Sequence, residues 1–314
     1  MRNIRKDIEQ LQIAGDLIDR RTPTTARLAL FLIDNVMELA MWRVVRLVFA
    51  YDSVPWRAEA PKYSASKRGK IKADFKKRVG FLCEELGKIA ASDAKVLRVG
   101  HDLRNESYHN GQVRDIVVGP LVQTYFQVAC RLYPSLWLGD FAFSHHSEIT
   151  SFLKEFGLDG SMIDQDVLRT ICSRLAQGRA CPTVDLANAI ADHLTQRIEE
   201  TMQCLNDLAS ARPGGAPGDA LKWVQFHEAG IPAFERQRKT FAEWCQRVES
   251  EFAAFRPKVT LSTLQRWSAE AEQLRSARYA GPLVDTFWQI DVQFLPIENA
   301  VTEAILAYEH EHDM

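Results

Sequence analysis

The spacing of apolar residues between Arg27 and Phe49 constrains the fold more than any other feature. Leu28, Leu32, Val36, Leu39, Ala40, Val44 and Leu47 recur at helical intervals with no proline between them, which specifies a long helix with one apolar face. The same periodicity predicts a second helix from Ile71 to Ala91, with Phe75, Val79, Leu82, Leu86 and Ile89 on one side. Ser92 and Asp93 offer capping oxygens for a third helix through Val96, Val99 and Leu103, and a fourth runs from Ile116 to Leu132. Further helical segments fit 149–157, 164–177, 184–210 (capped by Thr183), a stretch capped by Asp219, 236–255, 261–279 and 282–309. Nowhere does a two-residue alternation persist between turn residues, so the expected fold class is all-α.

Charge divides the chain. Residues 1–135 hold 23 Lys+Arg against 15 Asp+Glu, a net +8, and the remainder holds 16 against 26, a net −10. Pro134 and the segment Leu136-Trp137-Leu138-Gly139-Asp140 coincide with that change of sign and suggest a boundary between a basic N-terminal antiparallel bundle, 1–135, and an acidic helical region, 136–314. Arg212-Pro213-Gly214-Gly215-Ala216-Pro217-Gly218 reads as a loop or linker at 211–218. A basic module beside an acidic one suits a polyanion held near a shielding partner domain. The most apolar stretch carries Asp34, Glu38, Arg43 and Arg46, too many charges for a bilayer span. With no signal peptide at Met1-Arg2-Asn3-Ile4-Arg5, a cytoplasmic protein without a membrane partner is expected. The six cysteines lack any C-x-x-C pair and are expected to be reduced and mostly buried.

The densest basic run is Lys67, Arg68, Lys70, Lys72, Lys76, Lys77 and Arg78, opposed within it only by Asp74 and preceded by Trp56 and Tyr63. Such a cluster can neutralise several phosphates, or it can be a solvated helix face. What lies beside it decides between these. The third helix continues His101-Asp102-Leu103-Arg104-Asn105-Glu106-Ser107-Tyr108-His109-Asn110-Gly111-Gln112. At about 100° per residue, His101, Arg104, Asn105, Tyr108, His109 and Gln112 share one broad face, opposite Val96, Val99 and Leu103. Asn105 and His109 are four residues apart, so the amide can reach an imidazole nitrogen, with Arg104 beside them as a phosphate donor. The bland alternative is a surface helix on which Arg104 and His109 pair with Glu106, Asp102 or a neighbouring domain.

Arg104-Asn105, followed by three residues and His109, resembles the R-x4-H motif of the HEPN superfamily of all-helical ribonuclease and nucleotide-binding domains. The helix bearing Ile33-Asp34-Asn35-Val36-Met37-Glu38-Leu39 is similar to the opening helix of many members. The resemblance covers roughly residues 25–135 and implies RNA cleavage without a metal or other cofactor, by a homodimer whose two motif helices line one groove, in a toxin or defence effector. It casts His109 in proton transfer, Arg104 as stabiliser of the charge on the phosphorane and Asn105 as orienting the histidine, with Glu38, Tyr108 or His101 completing the site. The implied partners are RNA, such as tRNA or mRNA, and an antitoxin or other regulator. Relatives controlled by a nucleotidyltransferase antitoxin often carry a tyrosine two positions after the histidine; Gly111 stands there, which argues against that mode of control.

Other signals carry less. His145-His146 and His310/His312 lack a third metal ligand on a rigid element. Trp223, Trp244, Trp267 and Trp288 fit core packing better than base stacking, Ser107 has no nucleophile elbow, and no glycine-rich phosphate loop occurs. The competing function is an interaction protein whose bundle binds RNA or a nucleotide without cutting it.

Overall fold

The computed structural model describes residues 2–54, 60–109, 115–136, 146–159, 162–211, 215–230 and 241–312, with the backbone alone for 2, 3, 107–109, 146–148, 241, 311 and 312. Among these residues there are thirteen α-helices, one π-helical turn and no strand, so the chain is all-α. No helix among them is long and apolar enough to cross a membrane. Two compact units form, Met1–Ala189 with Ala277–Asp285, and Ile190–Ser276 with Thr286–Met314. The first runs on past residue 135.

In the first unit, α1 (Arg2–Asp19) and α2 (Pro23–Asp52) pack against each other. Helix α1 buries Ile4, Ile8, Leu11, Ala14 and Ile18, a stripe at three- and four-residue intervals that the sequence reading passed over. Thr22 caps α2, its hydroxyl accepting from the Thr25 amide at 3.2 Å, and Pro23 takes the first turn, where a missing amide costs nothing. A wide arc of α2, from Ala26 through Ile33, Met37 and Met41 to Phe49, is buried against α1, α5 (Ala91–His109) and α6 (Asp115–Leu136). The far side of α6 carries α8 (Gln165–Ala176), which buries Leu168, Ile171, Cys172 and Leu175.

The helix expected from Ile71 to Ala91 is broken. Ser64 caps a short α3 (Ala65–Ala73), in a stretch read as a connection. Asp74 then leaves the helix with φ −120° and ψ 125° and caps α4 (Phe75–Gly80), accepting from the Lys77 amide at 2.9 Å. The π-helical turn Phe81–Glu85 follows, and the path ends at Gly87, whose φ of 61° favours glycine. Phe49, Tyr63 and Phe81 pin this connection to α2 with ring centroids 5.2 to 5.5 Å apart. Pro134, read as a boundary, is buried inside α6. Ser92, Asp93, Thr183 and Asp219, read as caps, lie within first turns instead. Helix α7 (His146–Glu155) lies between α6 and α8 in sequence. All six cysteines are free, but only Cys130 and Cys172 are buried, fewer than expected.

The second unit contains the later part of α9 (Thr183–Ser210), α10 (Pro217–Glu228), α11 (Phe241–Ala254), α12 (Leu261–Leu274) and most of α13 (Ala280–His312). Its apolar core includes Leu194, Ile198, Leu264, Trp267, Phe287 and Phe294. Arg197 crosses that core to Asp291 at 2.6 Å and to Glu298 at 2.7 Å, so the buried carboxylate of Asp291 is neutralised. Trp267 belongs to the core and Trp223 packs edge-on to Phe252 at 5.5 Å, while Trp244 and Trp288 are half-buried.

Candidate functional site

Val96, Val99 and Leu103 anchor α5 in the first unit, which turns His101, Asp102, Arg104, Asn105 and Glu106 to its half-buried side. Beneath this row lies Asp34 of α2, a carboxylate with no exposed surface. Burying such a charge is costly unless donors surround it. The Tyr125 hydroxyl of α6 donates to Oδ1 at 2.8 Å, and His101 Nδ1 lies 3.0 Å from Oδ2 and 3.2 Å from Oδ1. Arg104 Nε is 3.8 Å from Oδ2. Burial, and then the neighbouring Asp34 charge, push the Tyr125 phenol well above its ordinary range, so it stays a neutral donor.

Arg104 is held from three sides. Its Nη1 donates to Asn105 Oδ1 at 2.9 Å, its guanidinium stands 5.7 Å from the centre of the Phe31 ring, and Asp34 lies behind it. Asn105 therefore orients the arginine. His101 lies flat on Phe75 of α4, centroids 3.8 Å apart and planes 2° from parallel, so the ring is clamped between an aromatic face and a carboxylate. The Tyr108 and His109 side chains lie outside the described residues, as do Asn110, Gly111 and Gln112, Trp56, and the side chains of His145, His146 and His312.

Glu38, one turn beyond Asp34, accepts from Arg78 Nη2 at 2.6 Å. Single donor atoms of Asp34, Glu38 and His101 lie within 4.8 Å of one another, as a metal's ligands would. The Arg78 guanidinium on Glu38 and the Arg104 guanidinium beside Asp34 already supply the countercharge there. A dication would have to displace Arg78, so the group reads as an ion-pair network.

The basic run divides in two. Arg78 is buried, its Nη1 donating to the Lys72 carbonyl at 2.5 Å, and Arg68 donates to the Tyr63 carbonyl at 2.8 Å and lies 3.5 Å from Asp52. These two arginines serve the fold. Lys67, Lys70, Lys72, Lys76 and Lys77 are exposed. Lys76 reaches Asp102 of α5 at 2.7 Å, which ties the lysine-rich helix to the helix of Arg104, and Lys67 reaches Glu85 at 2.7 Å. A groove of about 550 Å³ also opens between the α1–α2 turn, the start of α6 and the turn Gly178–Pro182, away from Arg104.

Of the residues expected at the site, the structure groups Arg104, Asn105, Glu38 and His101, and it adds Asp34 and Tyr125 as partners that the sequence reading did not name. A lone acidic residue among Ile33, Val36 and Met37 was the available signal, since an apolar face does not bury a carboxylate without donors. Comparison of the chain with protein-family models, with curated proteins and with solved structures gives no match.

Proposed function

We propose that the chain is a metal-independent endoribonuclease of HEPN type, acting as a homodimer on RNA. The observation that carries this reading is the seating of Arg104, fixed by Asn105 and backed by the buried Asp34, yet with 35% of its side chain exposed. A preorganised guanidinium at a surface stabilises charge that develops on a phosphoryl oxygen, because its donors need no rearrangement at the moment of reaction. His109, one turn further along α5, assists proton transfer, for which imidazole is suited at neutral pH. The exposed lysines of α3 and α4 contribute phosphate contacts along the flank. A toxin or defence role, with an antitoxin or other regulator, belongs to the same proposal.

The test is incubation of purified wild type, Arg104→Ala and His109→Ala with total RNA and tRNA in excess EDTA. Cleavage by wild type alone, leaving 2′,3′-cyclic phosphate ends, is expected. Intact RNA with wild type refutes the nuclease, and salt-sensitive binding that survives His109→Ala then identifies an RNA-binding protein. Undiminished cleavage by Arg104→Ala refutes the assigned site.

A further inference from the structure

We infer that His101, oriented by Asp34, is the general base that deprotonates the attacking 2′-hydroxyl, an assignment that rests on the nuclease reading above. The Asp34 carboxylate is buried beside two donors, the Tyr125 hydroxyl and the Arg104 guanidinium, and serves them as acceptor. Facing that acceptor at 3.0 Å, Nδ1 is the ring nitrogen placed to donate, and the neutral tautomer that does so has its lone pair on Nε2. Among the described residues the hydrogen bonds of His101 run through Nδ1, Nε2 is not a buried orphan, and 14% of the side chain is exposed. Phe75 fixes the plane of the ring. A base whose tautomer is set by a buried carboxylate, with its other nitrogen open, is the arrangement that activates hydroxyl nucleophiles.

Position along the helix agrees. His101 precedes Arg104 by three residues, about 4.5 Å of axial rise, so one phosphate can meet both side chains. His109 lies eight residues from His101, about 12 Å along the same axis. In the homodimer proposed above, the two groups that flank one phosphorus come from two copies of the chain. The step then balances. His101 Nε2 takes the 2′-hydroxyl proton, the 2′-oxygen bonds to phosphorus, the bond from phosphorus to the 5′-oxygen breaks, and that oxygen leaves with a proton from His109 of the second copy. Arg104 holds the charge on the phosphorane. Asp34 touches no reacting atom and is a positioning residue.

The full chain serves for the test. Long-range ¹H–¹⁵N NMR on histidine-labelled protein near pH 8 reads the tautomer independently of activity. The proton is expected on Nδ1 of His101 in wild type and on Nε2 in Asp34→Asn, whose amide can donate to Nδ1. An Nε2 proton in wild type overturns the proposal. In the EDTA assay, His101→Ala and Asp34→Asn are each expected to lose about 10²- to 10⁴-fold in rate, the usual worth of general-base catalysis. Added imidazole is expected to restore part of the His101→Ala activity. Full activity in folded His101→Ala, or a loss that imidazole leaves untouched, overturns the role of His101 while the nuclease stands. Intact RNA with wild type removes both.

Discussion

Gly100 gives the sharpest test of how the site is built. It lies on α5 facing Tyr125, and a Cβ placed on it would meet the tyrosine ring at 2.6 Å from Cδ1, 2.6 Å from Cε1 and 2.9 Å from Cγ. Carbon atoms pack at about 3.5–4.0 Å, so Gly100→Ala forces the ring back by roughly 1 Å. The ring has little room to retreat. Tyr125 is 1% exposed, and the void beside it, lined by Leu30, Leu103 and Leu121 among others, holds about 10 Å³. Its hydroxyl is also fixed to Asp34 at 2.8 Å. Overpacking of this kind costs about 1–3 kcal/mol, and straining the buried hydrogen bond adds about 1 kcal/mol. Alanine repays about 1 kcal/mol in helix propensity. The expected result is a net loss of about 1–3 kcal/mol, read from urea unfolding followed by circular dichroism. In a Tyr125→Leu background, where the ring is gone, the same change should be neutral or stabilising. A Gly100→Ala protein as stable as wild type or more so would show that the helices do not approach as described.

Tyr133→Phe removes the hydroxyl that donates to the buried Asp7 at 2.8 Å, leaving Arg43 as the donor, and should cost about 1–3 kcal/mol; an unchanged urea midpoint would contradict this. Burial pushes the Cys172 thiol up to about 12 and the Cys130 thiol well above its ordinary range, so neither should react with a thiol reagent at pH 8 until the protein unfolds. Both thiols hold their protons more tightly folded than unfolded, so their contribution to stability is intact below pH 9 and falls as pH rises from about 9 toward 12. A urea midpoint that rises over that window would refute the sign. If His101 and His109 act from different chains, mixing inactive His101→Ala and His109→Ala proteins under conditions of subunit exchange should restore about one quarter of wild-type cleavage. Half of the dimers are then mixed, and each has one intact site; no recovery despite proven exchange would place both groups on one chain.

Periodicity made α2 and α5 legible as helices, and for α5 it also placed the buried face, but on α2 Leu28 and Leu39 of the expected stripe are exposed and the buried arc runs through Leu30, Ile33, Met37 and Met41, because α1, α5 and α6 cover that side. The interruption at Asp74 was harder to see. Ile71, Phe75 and Val79 keep helical spacing across it, yet the Asp74 side chain satisfies the Lys77 amide and so caps a new helix directly after α3 ends. Pro134 misled in the opposite sense, since α6 continues through it to Leu136. At the site, the residues displayed on α5 could be read from their spacing on one helix. Their supports could not, because Asp34, Phe75 and Tyr125 come from three other helices, and only the packing of α2, α4 and α6 brings them to His101 and Arg104.

Tyr125 and Tyr133 stand eight residues apart on α6, and each delivers its hydroxyl to a buried carboxylate on a different neighbour, Asp34 of α2 and Asp7 of α1. Together they work as a vernier. A slip of α6 by one residue, about 1.5 Å along its axis and 100° around it, would draw both hydroxyls off their marks at once. Two carboxylates would then lose donors in a single step, at about 1–3 kcal/mol each. The cost of sliding is thus paid in full at the first residue, and α6 is held to one register as the fixed scale against which α1 and α2 are set.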